Sequence, residues 1–203
     1  GPIDVLVNNA GIFPRAPFLE LDEAQWDAVL DTNLKGTFVC SQEAARRMVA
    51  AGRGGVIVNL ASGAPYRGGL RSTAYMASKL GIVGLTRVTA LDMVRYNVTA
   101  NCISPFAWTR MIGTIPTETD VQRTRVEKIK KMSPAHIAPV AAWLASDAAK
   151  DVTGQIFGVR GKELMLFGHT RPIMRIHHAE GWTVERLAEM VPGSLQHHFV
   201  PLE

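Results

Sequence analysis

Apolar residues follow two rhythms along this chain. Ile3-Asp4-Val5-Leu6-Val7, Val56-Ile57-Val58-Asn59-Leu60, Val98 to Ile103 and Gly154 to Val159 are short runs rich in β-branched side chains. Each is bounded by Gly, Asn, Ser or Pro, the pattern of strands buried on both faces. Between the runs, apolar positions recur at helical spacing. Leu21-Asp22-Glu23 supplies the acidic opening of a helix reaching about Gly52, with Trp26, Val29, Leu30, Leu34, Phe38 and Val39 at periodic positions. The stripe Trp26, Leu30, Phe38 reads as core or interface packing. A second long helix spans Thr73 to about Tyr96, with Ile82, Leu85, Val88 and Leu91 as its core stripe, and a third spans Pro134 to Ser146. Residues 106–134, rich in Thr, Pro and charge, read as an irregular segment over a site. The tail 160–203 holds one helix near Val184 to Met190.

Strands alternating with long helices predict an α/β fold, a doubly wound parallel sheet covered on both faces. Such sheets bind ligands beyond the carboxyl ends of their strands. The segment Asn8 to Gly11, Ser62 and Pro105 all follow strand ends, so three loops meet at one edge.

Composition narrows the class. At 203 residues, 47% hydrophobic and 20% charged, the chain can bury a sizeable core and is unlike disordered sequences. No apolar run approaches the ~20 residues of a membrane span. Gly1-Pro2-Ile3-Asp4 does not read as a secretory leader, so a cytoplasmic protein is expected. Cys40 and Cys102 are too few for a disulfide framework and are expected as two small buried side chains in a reducing compartment. The net charge of +4 forms no basic–aromatic stripe, so no nucleic-acid partner is expected. His177-His178 and His197-His198 have no Cys or carboxylate cluster beside them, and no metal site is expected.

The densest chemistry lies in Tyr75-Met76-Ala77-Ser78-Lys79. On a helix, Tyr75 and Lys79 share a face. An ammonium ~4 Å from a phenol, at an effective dielectric of ~20, favours the phenolate by about 4 kcal/mol, enough to make Tyr75 a proton shuttle. For the bare pair, a surface Tyr and a solvated Lys one turn apart is the better reading, so context must decide. Ser62 ends a strand where its hydroxyl could donate to a substrate oxygen gaining charge. Asn33, in Asp31-Thr32-Asn33-Leu34-Lys35-Gly36, is a poor helix former and marks a local break.

Together these motifs resemble the short-chain dehydrogenase/reductase (SDR) family. The matching pieces are VLVNNAG (5–11), TNLKG (32–36), IVNLAS (57–62), YMASK (75–79) and NCISP (101–105), in family order and spacing. The resemblance implies a Rossmann-like fold and an NAD(P)-dependent oxidoreductase, using NAD or NADP to interconvert a secondary alcohol and a ketone. It implies that Tyr75 transfers the proton, that Lys79 lowers its pKa and holds the nicotinamide ribose, that Ser62 polarises the substrate oxygen, and that Asn33 positions a relay water. Asn8, Ala10 and Gly11 would line the adenosine side of the cofactor, and Pro105 to Thr109, including Trp108, the nicotinamide side. A homodimer or homotetramer is implied, with the two long helices as interface elements. Residues 1–159 would be the C-terminal part of one SDR domain, and 160–203 an extension packed on it or at a subunit interface.

Two departures sharpen this. Nothing before VLVNNAG matches the family's Gly-x-x-x-Gly-x-Gly phosphate turn, so the sheet is expected to lack its first strands and helices and to leave Ile3–Val7 as a bare apolar edge. The natural protein is then expected to be longer by roughly 80–90 residues. Second, Pro105-Phe106-Ala107-Trp108-Thr109-Arg110-Met111 resembles the (3R)-hydroxyacyl-CoA dehydrogenase branch. Arg123, Arg125, Lys128, Lys130 and Lys131 could attract the phosphates of an acyl-CoA, although a solvated helix face with Glu127 among the cations is the favoured reading. The alternatives are a catalytically inactive remnant acting as a scaffold or binding module, and a steroid or sugar-alcohol dehydrogenase.

Overall fold

The β-branched runs become β1 (Val5–Asn8), β2 (Gly55–Leu60), β3 (Val98–Phe106) and β4 (Ile156–Arg160), joined by a fifth strand, β5 (Glu163–Leu166). They form one sheet in the order β1-β2-β3-β4-β5, parallel except for the antiparallel β4–β5 hairpin. This computed structural model describes residues 1–66, 68–109 and 118–200. The chain divides into two units, Gly1–Phe167 and Gly168–Glu203. The division expected after Val159 therefore falls inside the β4–β5 hairpin. All four β5 residues are exposed, so no alternation of apolar and polar positions announced that strand.

The sheet is covered on both faces because its residues alternate. Ile57, Val98 and Ala100 pack with Ala44, Met48 and Ala90. Val58, Leu60, Ile103, Phe157 and Val159 pack on the opposite side with Leu144 and Ala149. The first helical stretch splits into α1 (Glu23–Leu30), a π-helical turn over Asp31–Lys35, and α2 (Gly36–Ala51), which ends on Gly52 at φ 68°. The break foreseen at Asn33 is thus a real change of helical winding. The second stretch is α3 (Thr73–Met93), followed by a 3-10 turn at Val94–Tyr96.

Four expectations need correcting. The α3 core stripe is Ala74, Ser78, Lys79, Ile82, Val83, Thr86 and Ala90; Val88 and Leu91 are 57% and 76% exposed. An all-apolar periodicity overlooked small and polar residues that the packed sheet can bury. Cys40 is exposed, and only Cys102 is buried. Within 106–134 lies a helix, α4 (Asp120–Lys130), with a Thr119/Gln122 capping box; Arg110–Thr117 lie outside the described residues. Its buried stripe is only Val126 and Ile129, too narrow to stand out among charges. Lastly, β3 does not close at Ser104-Pro105. Pro105 pairs with Val159, and its missing N–H falls on the β2 side, where β2 has already ended at Leu60.

α5 (Ala138–Leu144) follows a 3-10 turn at Pro134–His136. In the second unit, α6 (Val184–Ser194) is capped by Thr183, whose hydroxyl accepts from the Arg186 N–H. β1 is the sheet edge, where Val5 and Val7 are 41% and 46% exposed. Among the described residues no helix is long and apolar enough to cross a membrane, and no His, Cys, Asp or Glu cluster could hold a metal.

Candidate active site

Because β1, β2 and β3 run parallel, the loops after Asn8, Leu60 and Phe106 leave the sheet at the same edge. α3 returns across that edge with Tyr75 and Lys79 in its first two turns. Lys79 is 5% exposed, and its ammonium donates to the Leu60 carbonyl at 2.7 Å. It stands 5.8 Å from the centre of the Tyr75 ring. Burial pulls the Lys79 pKa down to about 8. The Tyr75 ring lies 4.2 Å from Phe13, tilted by 36°.

The electrostatics differ from the expectation built on the bare pair. Burial pushes the Tyr75 phenol above the ordinary tyrosine value, and a hydrogen bond with Ser62 acts in the opposite sense. The Lys79 ammonium, donating to the Leu60 carbonyl, is not among the groups that lower it. Desolvation costs the phenolate more than an ammonium turned towards Leu60 returns. In this state Tyr75 is a protonated acid at neutral pH. Ser62 is 8% exposed and its oxygen accepts from the Ala64 N–H at 3.2 Å, which leaves its own proton free to donate.

Asn33, fully buried, ties two of these elements together. Its Oδ1 accepts from the Ile12 N–H at 2.8 Å, while Nδ2 donates to the Ile12 carbonyl at 3.0 Å and to Ser78 Oγ at 3.1 Å. The Ser78 hydroxyl in turn donates to the Tyr75 carbonyl at 2.8 Å. Thr37 Oγ1 donates to the Asn33 carbonyl at 2.7 Å, satisfying an acceptor in the π-turn. Both Nδ2 donors are therefore committed, and a relay water could be held only at a spare oxygen lone pair. Gly11 runs so close that a Cβ there would sit 3.2 Å from Asn33 Oδ1 and 3.5 Å from Lys79 Nζ.

The remaining expected residues are placed unevenly. Asn8 turns its side chain inward, donating to Ser41 Oγ at 2.9 Å and Asn59 Oδ1 at 2.8 Å, so only its backbone could line a ligand. Ala10 is exposed in the loop after β1. Pro105 lies within β3. Trp108 donates its backbone N–H to the Met132 carbonyl at 2.7 Å and has the Lys130 ammonium 6.0 Å from its ring, while Thr109 is exposed. Two of the cations on α4 are engaged at the surface, Arg123 with Asp120 and Lys130 with Glu127. Phe13, Ser78, Tyr66 and Phe167 were not singled out from the sequence. They act by contact across long separations, for which spacing carries no signal.

A nicotinamide cofactor fits this donor set at one end. Lys79 uses one N–H on Leu60, leaving two for hydroxyl acceptors, and the bare Gly11 backbone passes directly over it.

Residues 1–161 match the family model described as Enoyl-(Acyl carrier protein) reductase. The chain is 40% identical over 171 residues, 83% of this chain and 68% of the relative, to (2S)-[(R)-hydroxy(phenyl)methyl]succinyl-CoA dehydrogenase subunit BbsD of Thauera aromatica. A crystal structure of a short chain dehydrogenase from Mycobacterium avium matches at TM-score 0.81 and 35% identity, covering 95% of this chain and 64% of that one. A putative 2-deoxy-d-gluconate 3-dehydrogenase from Agrobacterium tumefaciens, solved with bound NADP, matches at TM-score 0.70 and 37% identity, covering 78% and 66%. This chain spans about two thirds of the length of the curated relatives it matches, 65% for the first two.

Proposed function

This chain belongs to the short-chain dehydrogenase/reductase family, and from that premise we propose that the protein carrying it is an NAD(P)-dependent oxidoreductase interconverting a secondary alcohol and a ketone. The observation that carries the reading is the convergence of Ser62, Tyr75 and Lys79 at the carboxyl edge of the sheet, where the Lys79 ammonium lies 5.8 Å from the Tyr75 ring centre and donates to the Leu60 carbonyl.

A bound nicotinamide supplies the hydride in the reducing direction and accepts it in the oxidising one. The protein's part is the proton and the geometry. Ser62 donates to the substrate carbonyl oxygen, and Tyr75 delivers its phenolic proton to that oxygen as negative charge develops. The Lys79 ammonium then stabilises the phenolate left behind, an interaction that grows only as the proton departs. Asn33 holds the Gly11-Ile12 loop and, through Ser78, the first turn of α3, so that these groups share one frame. Lys79 and Tyr75 would hold the nicotinamide ribose, Pro105, Trp108 and Thr109 the ring, and the backbone of Asn8, Ala10 and Gly11 the adenosine side.

For the substrate, a 3-hydroxyacyl-CoA is favoured. The BbsD relative is named for a succinyl-CoA compound, and Arg125, Lys128 and Lys131 lie exposed on and beside α4. A sugar-acid alcohol is the second reading, since the NADP-bound neighbour is described as a putative 2-deoxy-d-gluconate 3-dehydrogenase. Two unpaired cysteines suit a reducing compartment such as the cytoplasm.

The test is NADH or NADPH oxidation at 340 nm with acetoacetyl-CoA and with a keto-gluconate. Saturable turnover is expected, and Tyr75→Phe should lower kcat by about 10²–10⁴-fold while nucleotide affinity stays within about threefold. Full turnover in Tyr75→Phe would overturn the mechanism. Nucleotide binding without turnover on any ketone would favour a non-catalytic binding module.

A further inference from the structure

The loop that carries Ser62 is pinned at both ends, and the second pin comes from an unexpected place. At the first, the Ala61 N–H donates to the Ile103 carbonyl at 2.8 Å. At the second, the Tyr66 ring stacks on Phe167, with centres 4.6 Å apart and planes 17° apart. Phe167 is delivered there by the β4–β5 hairpin, and its N–H donates to the Ile156 carbonyl at 2.9 Å.

Two glycines make room for it. A Cβ on Gly158 would sit 2.9 Å from Phe167 Cε2, so the ring occupies the space a side chain would fill. A Cβ on Gly63, the residue after Ser62, would lie 3.9 Å from Phe167 Cζ. Phe167 thus fills the space in front of Gly63, beside Ser62, and stacks on the ring three residues beyond Gly63. β5 itself adds little to the core. Every β5 residue is exposed, and Phe167, the residue that follows it, packs against the buried cluster of Ala61, Ile82, Val83, Cys102 and Ile156.

We propose that the Tyr66–Phe167 stack is a positioning device that holds the Ser62 hydroxyl at the Tyr75 phenol. Phe167 acts through Ser62 and is a positioning residue, not a catalytic one. Its catalytic consequence rests on the oxidoreductase reading above, whereas its effect on Tyr75 does not. Loosening the stack frees the loop between Ala61 and Tyr66, and the Ser62–Tyr75 hydrogen bond, which favours the phenolate, weakens.

The experiment follows tyrosine ionisation by ultraviolet difference absorbance, with Tyr75→Phe subtracted to isolate the Tyr75 signal. Phe167→Leu keeps the apolar volume and removes the ring. It should raise the Tyr75 midpoint by roughly half a pH unit to one unit, the worth of one hydrogen bond. Gly158→Ala, which displaces the ring, should do the same, and Phe167→Tyr should restore the original midpoint. In a Ser62→Ala background, Phe167→Leu should add nothing. On a turned-over ketone, Phe167→Leu should lower kcat about ten- to a hundredfold, as expected for a misplaced group, with nucleotide affinity unchanged.

An unmoved midpoint in both Phe167→Leu and Gly158→Ala would overturn the proposal, as would an equal shift in the Ser62→Ala background. Absence of turnover in the unmodified protein would instead sink the oxidoreductase reading, and the titration would still decide the role of Phe167.

Discussion

Lys79 is a residue whose chemistry opposes its own fold. Its ammonium is buried with one hydrogen bond, to Leu60, and its pKa falls from 10.5 to about 8. Between those values the unfolded chain binds a proton that the folded chain has lost, so stability rises with pH across that window. Below pH 8 the penalty is fully present, and the shift corresponds to about 3 kcal/mol. Lys79→Met removes the charge together with the bond to Leu60. It should therefore stabilise the protein at pH 7 by about 1–2 kcal/mol, a rise in Tm of roughly 3–6 °C. It should also abolish the extra gain in stability between pH 8 and pH 10.5. Thermal melts of both proteins at pH 7 and pH 10 check this, and a lower Tm for Lys79→Met at pH 7 would contradict it. Tyr75 makes the companion point. Its burial raises its pKa, which keeps it an acid until charge develops beside it.

Among elements, the π-turn at Asp31–Lys35 connects the most. One extra residue in the winding turns Asn33 inward, where its amide meets both polar groups of Ile12 and the hydroxyl of Ser78. Asn33→Ala would remove the partners of the Ile12 N–H and carbonyl and leave a void at a fully buried position. The expected cost is about 2–4 kcal/mol in urea unfolding, with faster proteolysis in the loop after β1. Asn33→Asp can still accept from the Ile12 N–H but sets a carboxylate against the Ile12 carbonyl, so it should rescue little. An Asn33→Ala protein as stable as the parent would show that the turn is not held by this amide. The sequence flagged Asn33 as a break from its poor helix propensity alone. What the break is for depended on Ile12 and Ser78 arriving beside it.

At the scale of the whole molecule, part of the α3 stripe that the periodicity assigned to the core lies on the surface: Ile82 is buried, whereas Val88 and Leu91 are exposed. Phe38, Val49, Val88 and Tyr96 are 44%, 37%, 57% and 39% exposed, and they line a groove of about 540 Å³ between α2 and α3. Arg46 and Asp92 lie in the same groove, so a two-fold related copy could set each against the other's opposite charge. We propose that this face meets a second copy in a homodimer or homotetramer, and Val88→Glu should then lower the mass read by light scattering by half or more. A monomeric parent would refute it. The groove shows why the α3 stripe misled. Helical periodicity reports that a face is apolar, and a second subunit covers such a face as well as a sheet does.

The sequence by itself determined four of the five strands, the long helices and the parallel α/β class, and it put Ser62, Tyr75 and Lys79 forward as one candidate site. These follow from local information: β-branched runs, helical spacing, and strand ends in a sheet whose topology allows few arrangements. Residues 1–161 match the family model as those motifs implied. The tertiary structure alone decided the direction of the Tyr75 shift, the inward turn of Asn8, the hairpin beyond Arg160 and the stacking of Phe167 on Tyr66. Each of these is set by desolvation or by contact between residues far apart in the chain, and neither quantity exists until the sheet has brought its loops together.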